Sequence, residues 1–430
     1  MSHPTRFRAP ALHVIGALAV AVCLGAAAGA GGTALVSAGA SGITPPSATI
    51  TATPTAERAA APSPPQQPPV TFTVVAAGDI LPHGPVVTSA TTAEGIDFTP
   101  LMAAVAPYIA GADLALCHME VPVTPPGTSP SGYPMFAAPP ELVTSLAASG
   151  WDGCSTASNH SVDRRAAGIA ATLDAFLAEG MGAAGTARTE QEADTTQLYV
   201  VHGAARDITV ANISFAYGLN GLPKPDGQPW AVNTFDADAS DANPILAAAQ
   251  RARDHGADIV IASVHCCVEY QTAPTAAQRS VAEQVAASGL VDLYLGHHAH
   301  VPQPIEKLEG GPNGDGMWVA FGMGNFISNQ DAQCCVAETT SGELITATFS
   351  VDANDRVDVA VEWTAVTTDR LSSHTMHTLT DIPNGTGTLS PAEVAARHLR
   401  VAKAAGSAAP ERTTPAESLA FGVDVIPRTG

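Results

Sequence analysis

Charge is scarce in this chain, and positive charge most of all. Only 14% of its 430 residues are Asp, Glu, Lys or Arg, and 19 Lys and Arg stand against 40 Asp and Glu, a formal net charge of −21. Nucleic-acid binding needs a basic face to neutralise phosphates, so that function class is excluded. The acidity reads as solubility, and an anionic substrate stays open because bound cations invert a local field. No internal repeat is present, which excludes a solenoid. The seven cysteines lack zinc-ribbon spacing. Long apolar runs are missing too, with one exception at the N-terminus.

That exception reads as targeting. Arg6 and Arg8 precede an apolar run over 11–28, followed by small residues at 26–30 that offer cleavage sites. Residues 1–30 are therefore expected to be a signal peptide or, since the run is just long enough to span a bilayer, an N-terminal membrane anchor. Val22 before Cys23 is bulkier than a lipoprotein site accepts. Residues 31–69, rich in Ala, Thr, Ser and Pro, read as an extended linker. Both features place the body outside the cytoplasm, secreted or tethered to the cell membrane, where cysteines pair. The vicinal pairs Cys266-Cys267 and Cys334-Cys335 are expected to share at least one disulfide between their two loops. Cys117 and Cys154, inside apolar strand patterns, are expected to be buried thiols.

From residue 70 the pattern turns regular. Apolar, β-branched runs at 71–77, 113–117, 151–157, 258–264, 291–295 and 317–321 predict strands. Helices are predicted from Thr99-Pro100 through Ile109, and over 140–149, 163–179, 242–255 and 275–288. In the third of these (163–179), Ile169, Leu173, Phe176 and Leu177 face inward and Gly180 is the stop. Residues 198–202 and 207–216 read as a strand pair, and 343–351 with 356–366 as a closing hairpin. The alternation predicts an α/β fold with a sheet buried on both faces. The domain is expected over 70–366. The extension 367–430 is expected to hold a helix over 391–405, with Ser390 and Glu393 as a capping box, and otherwise to be partly disordered.

Each apolar strand ends in residues able to bind metal or move protons. The ends carry Asp79 with His83 beyond, His118-Met119-Glu120, Asn159-His160 with Asp163, His265 with Glu269, His297-His298-Ala299-His300, and Gly324-Asn325. One Asp or Asn after a strand is an ordinary turn former. Six of these histidines, His118, His160, His265, His297, His298 and His300, of fourteen in the chain, predict a metal centre on the rim where strand ends collect ligands. On an extended backbone, side chains two apart point the same way, so His298 and His300 are expected to reach one ion together. Mixed carboxylate, amide and imidazole donors suit two divalent ions, of the Mn, Zn, Fe or Mg class, able to generate a bound hydroxide. A histidine beside the metals would serve as acid for a leaving oxygen.

These segments resemble the capsule synthesis protein CapA family, which acts in poly-γ-glutamate capsules and belongs to the calcineurin-like metallophosphatase superfamily. The resemblance runs over about 71–366. It rests on Ala77-Gly78-Asp79-Ile80, Met119-Glu120-Val121-Pro122, Ser158-Asn159-His160-Ser161-Val162-Asp163, Val264-His265 with Glu269-Tyr270, Gly296 through Gln303, and Gly322 through Phe326. It implies a sandwich of β-sheets flanked by helices, with metals at strand ends. By position it implies Asp79, Glu120, Asn159, His265, His298 and His300 as ligands, Glu120 bridging. It further implies His160 as general acid with Asp163 behind it, and His297, Glu269 and Asn325 in supporting places. The chain departs from the family at His118, usually Asn, which either substitutes as a ligand or fills space. It departs also at Ser158, at Cys266-Cys267 in place of Trp-Gly, and in having no His two residues after Asp79.

The implied function is a metallohydrolase of a phosphoester or of a γ-glutamyl amide, with metal-bound hydroxide as nucleophile. The alternative is an assembly factor of the capsule or envelope that holds metal and binds an anionic polymer or membrane capsule-synthesis proteins without turnover. A substrate-binding receptor would suit the tether but leave the histidines unused.

Overall fold

The longest parallel-paired strand of the computed structural model, which describes residues 68–428, is β1 (Val70–Leu81). Its side chains alternate between two apolar layers, Phe72, Val74 and Ala76 on one side, Val75 and Ala77 on the other. This is the period-2 pattern of a strand buried on both faces. The chain continues through β2 (Leu114–Met119), β3 (Gly153–Ser155), β4 (Gly182–Ala184), β5 (Gln197–His202) and β6 (Asp207–Ala216). Then come β7 (Ile259–His265), β8 (Leu293–His297), β9 (Ile305–Leu308), β10 (Met317–Ala320) and β11 (Asn325–Ser328). The last four are β12 (Ser341–Val351), β13 (Val357–Asp369), β14 (Thr375–Thr378) and β15 (Val423–Ile426).

Two mixed sheets result. The first runs β14-β13-β12-β1-β2-β3-β4, with β11 pairing the end of β1; the second runs β15-β5-β6-β7-β8-β10-β9. β1 through β4 are mutually parallel, as are β6, β7, β8 and β10. The sheets pack face to face over a core that includes Val74, Leu116, Ile261, Leu295 and Phe349. Helices Glu141–Ala148 and Arg165–Ala178 cover the outer face of the first sheet, and helices Asn243–Asp254 and Ala276–Ala287 that of the second. The α/β expectation holds, and the two stacked sheets are the sandwich that the resemblance implies. The predicted strand pair (β5 with β6) and closing hairpin (β12 with β13) are both present and antiparallel.

Several expectations are corrected. The helix predicted from Thr99-Pro100 to Ile109 is two short pieces, Thr99–Met102 and Ala106–Ala110, because Pro107 has no N–H to donate to the carbonyl four residues back and sits instead in the first turn of the second piece. Leu177 is 48% exposed while Ile169, Leu173 and Phe176 are buried. Ser390 Oγ does accept from Glu393 N, at 3.2 Å, but the Glu393 carboxylate turns to Arg397 rather than closing the box. The chain beyond 366 is also more ordered than expected. β13 runs on to Asp369, helix Pro391–Ala405 sends Val394 and Val401 into the core between the sheets, and β15 pairs antiparallel with β5 at a sheet edge.

The cysteine expectations fail in both parts. Cys117 and Cys154 are register partners on β2 and β3 and form a disulfide with each other. Cys266–Cys267 and Cys334–Cys335 each pair internally, not loop to loop. Cys266 packs into the apolar layer outside the second sheet, whereas Cys334 and Cys335 sit on the wall of a surface cleft. The predicted leader and most of the linker lie outside the described residues. Among the described residues no helix is long and apolar enough to cross a membrane.

Candidate metal centre and its cleft

The carboxyl ends of parallel strands from both sheets meet along one seam. β1 supplies Asp79, in register with His118 of β2 and Asn325 of β11. β7 ends in His265 and β8 in His297, opposite each other. Two glycines let these strand ends close up. A Cβ on Gly78 would lie 2.0 Å from the Gly324 carbonyl oxygen, and one on Gly296 would lie 1.9 Å from that of Phe321.

The predicted residues do gather here. Asp79, Glu120 and His300 bring ligand-type atoms within 4.8 Å of one another, as do Glu120 with His265 and His298, Glu269 with His298 and His300, and Asp79 with His118 and His265. His300 Nδ1 lies 3.1 Å from Asp79 Oδ2, and its Nε2 lies 3.6 Å from Glu120 Oε1. His265 Nε2 is 3.0 Å from Asn159 Oδ1 and 4.0 Å from Glu120 Oε1. Asn325 Oδ1 is 3.1 Å from His300 Nδ1, while its amide donates to Gln330 Oε1 and to the Thr339 carbonyl. Asn325 therefore fixes the orientation of His300.

His298 and His300 converge by a route other than alternation along a strand. β8 stops at His297, and both following histidines take left-handed backbone, φ 83° and 57°. Such φ values are uncommon for residues other than glycine and collect at functional sites. His118 bonds to His265, Nε2 to Nδ1 at 2.9 Å, and to Ser155 Oγ at 2.7 Å. His297 stacks on His118 with ring centroids 3.9 Å apart. It belongs to none of the four groups of converging atoms. His83 stays apart as well, its Nδ1 3.0 Å from the Leu81 carbonyl.

These groups could bind a metal ion, and the test is what they lack. Glu120 is fully buried, yet neither carboxylate oxygen has a hydrogen-bond partner, and His298 Nδ1 has none either. Leaving a buried carboxylate without hydrogen bonds is expensive, and a cation at this point would satisfy it. Burial pushes the Glu120 carboxyl up to about 7. Burial also works against the charge on His300, but Glu120 and Asp79 raise it to about 10. Burial would raise Asp79 too, but His297 and His300 hold it well below the usual carboxylate range. His298 falls to about 3 through burial and the neighbouring His300. His118 and His265 fall well below normal through burial and adjacent imidazoles. Three imidazoles are thus neutral, the form that ligates, while a proton on His300 stands where positive charge is called for.

Beside the centre, His160 Nδ1 lies 2.7 Å from Asp163 Oδ2, which also accepts from Phe136 N at 2.7 Å. Asp163 sets the ring and its tautomer, and His160 faces a cleft of about 820 Å³ that His300 and Glu269 also line. Sequence reasoning missed Tyr133, Phe136, Asn220 and Arg370 on its walls. They come from loops, and periodicity carries no signal that a loop returns to a distant strand end.

Comparison with known proteins agrees with this geometry. The family model described as "Bacterial capsule synthesis protein PGA_cap" matches residues 73–330. The PGA biosynthesis protein CapA of Bacillus subtilis is 26% identical over 177 residues, 41% of this chain and 42% of that protein. A probable polyglutamine synthesis accessory protein of Mycobacterium tuberculosis is 25% identical over 228 residues, 51% of this chain and 56% of that one. The matched region thus spans about half the length of these curated relatives. Since the family match runs from β1 to the cleft wall at Gln330 and takes in every strand end that builds the seam, the chain belongs to the bacterial capsule synthesis protein family, with the sandwich fold of the calcineurin-like metallophosphatases.

Proposed function

We propose that this protein is an extracytoplasmic, metal-dependent hydrolase of capsule or poly-γ-glutamate synthesis, cleaving a phosphoester or a γ-glutamyl amide. The observation that carries the reading is Glu120, a buried carboxylate with two unpartnered oxygens among converging imidazoles, beside a His–Asp pair that opens on a cleft. Asp79, Glu120, Asn159, His265, His298 and His300 would hold two divalent ions. When bound, such ions polarise a phosphoryl or acyl oxygen and make water acidic enough to attack near neutral pH. His160, oriented by Asp163, hands a proton to the leaving oxygen or nitrogen. Asn325 and the buried walls keep His300 in place. The three disulfides among the described residues support an oxidising compartment, as does the N-terminal sequence.

One observation favours a second reading. The mycobacterial relative is named an accessory protein, which suits an assembly factor that binds an anionic polymer or membrane-bound synthesis proteins without turnover. Elemental analysis of the purified protein, followed by assays on bis(4-nitrophenyl) phosphate and on γ-linked glutamate oligomers, separates the two. Metal with turnover supports the hydrolase. Metal without turnover on either substrate supports the assembly factor, and absence of metal overturns both.

A further inference from the structure

The cleft holds far more than a scissile bond. At about 820 Å³ it lies within the range of sites that enclose a whole small ligand, roughly 300–1,000 Å³. Its walls are poor in the charge that a polyanion needs. Among the described residues that line it, Arg370 is the one lysine or arginine, and its guanidinium is paired with Asp331 at 2.5 Å. That pair leaves no net charge, and Glu269 adds negative charge to the same walls. Poly-γ-glutamate carries a carboxylate on every residue, and a run of these would find no unpaired lysine or arginine on the described walls and would meet like charge at Glu269. Ions at the Glu120 cluster would offset Glu269, which converges with His298 and His300, but would leave the walls farther out without an unpaired lysine or arginine for a polyanion.

The walls offer something else. Tyr133 stands at the rim with 81% of its surface exposed. It makes an edge contact with Phe136, ring centroids 6.5 Å apart, and Phe136 in turn sits 4.8 Å from the His160 ring. Across the cleft, Tyr270 lies 6.0 Å from the His300 ring. The amides of Asn220, Asn329 and Gln333 line the same cleft, those of Asn220 and Asn329 with their oxygens engaged by Asn159 and His374 and their N–H groups left to donate. Aromatic faces take up the C–H face of a sugar ring, and amides both donate to and accept from hydroxyls.

Resting on the hydrolase reading above, we infer that the part of the substrate flanking the scissile group is a neutral, hydroxyl-rich glycosyl unit, stacked on Tyr133 and held by the cleft amides, and not a run of glutamates. The test is calorimetric titration of the full chain, metal-free and metal-loaded. The probes are neutral glucan, galactan and mannan tetrasaccharides and γ-linked tetraglutamate, at 150 mM salt. At least one tetrasaccharide is expected to bind, with affinity falling tenfold or more in Tyr133→Ala. Tetraglutamate is expected to bind detectably only after Asp331→Asn releases Arg370. Tighter binding of tetraglutamate than of every tetrasaccharide to the unaltered chain would overturn the inference, as would no tetrasaccharide binding. Turnover of bis(4-nitrophenyl) phosphate, measured in parallel, judges the hydrolase reading separately, because it reports on the metal centre and not on the glycosyl-binding walls.

Discussion

His298 and His300 each occupy a backbone region that asks for glycine, and each lies next to a carboxylate group of the centre. Replacing both by alanine removes two imidazoles from overlapping donor sets, and elemental analysis is expected to find metal reduced to background in the double variant. His160 takes part in none of those sets. His160→Ala is expected to keep its metal and lose about 10²–10⁴-fold in turnover, the usual contribution of a positioned acid. Loss of metal in that variant would reassign His160 to ligation. Protons compete with metal at two of the donors. His300 holds its proton up to about pH 10 and Glu120 up to about pH 7 in the metal-free protein. Both must leave for ligation, so affinity rises with pH. Calorimetry in buffers of differing ionisation enthalpy is expected to count about one proton released at pH 8 and nearer two at pH 6. The chemistry of these residues was legible in the sequence because their types are rare in strand-end clusters. The route by which His298 and His300 converge was not legible, since a turn with positive φ leaves no mark where no glycine occupies it.

Among the elements, the long helices and the buried strands were legible to within a few residues, while the short strands β4, β9, β11, β14 and β15 were not. Apolar runs such as Ile259–His265 and Leu293–His297 have a buried face on each side, so composition alone marks them. The other failures had two sources, a proline inside an otherwise helical pattern and a pairing decided by a neighbour in space. Pro107 broke a helix whose apolar spacing was intact, and the register of β2 against β3 paired Cys117 with Cys154. Loop residues such as Tyr133 and Arg370 reach the cleft through tertiary structure that no local pattern encodes. Close strand approach also makes a prediction at this scale. Gly296→Ala would drive a methyl group into the Phe321 carbonyl, and neither backbone can retreat without disturbing β8 and β10. Urea unfolding is expected to show a loss of about 1–3 kcal/mol, against a change near zero for alanine at Gly218, where the added group meets open space.

For the whole molecule, the stretch after 366 is structural. Met376, Leu379, Leu389, Val394 and Val401 are all buried, at about 1.5–3 kcal/mol for each side chain of this size. Together they rival the entire stability of a typical domain, about 5–15 kcal/mol. A chain ending at 366 is expected to be insoluble or to lack a cooperative melting transition by circular dichroism, where the full chain shows one. Helix Pro391–Ala405 was legible at its observed bounds, but β14 and β15 are strands of four residues each, too short for a local pattern to mark. The strand-end centre has its own consequence at this scale. Its donors are drawn from both sheets, Asp79 from one and His265 from the other, so an ion held there would fasten the two halves of the sandwich like a rivet through a lap joint. Reactivity and mechanical integrity would then share one fastening, and the halves could not slide past each other without first giving up the ion.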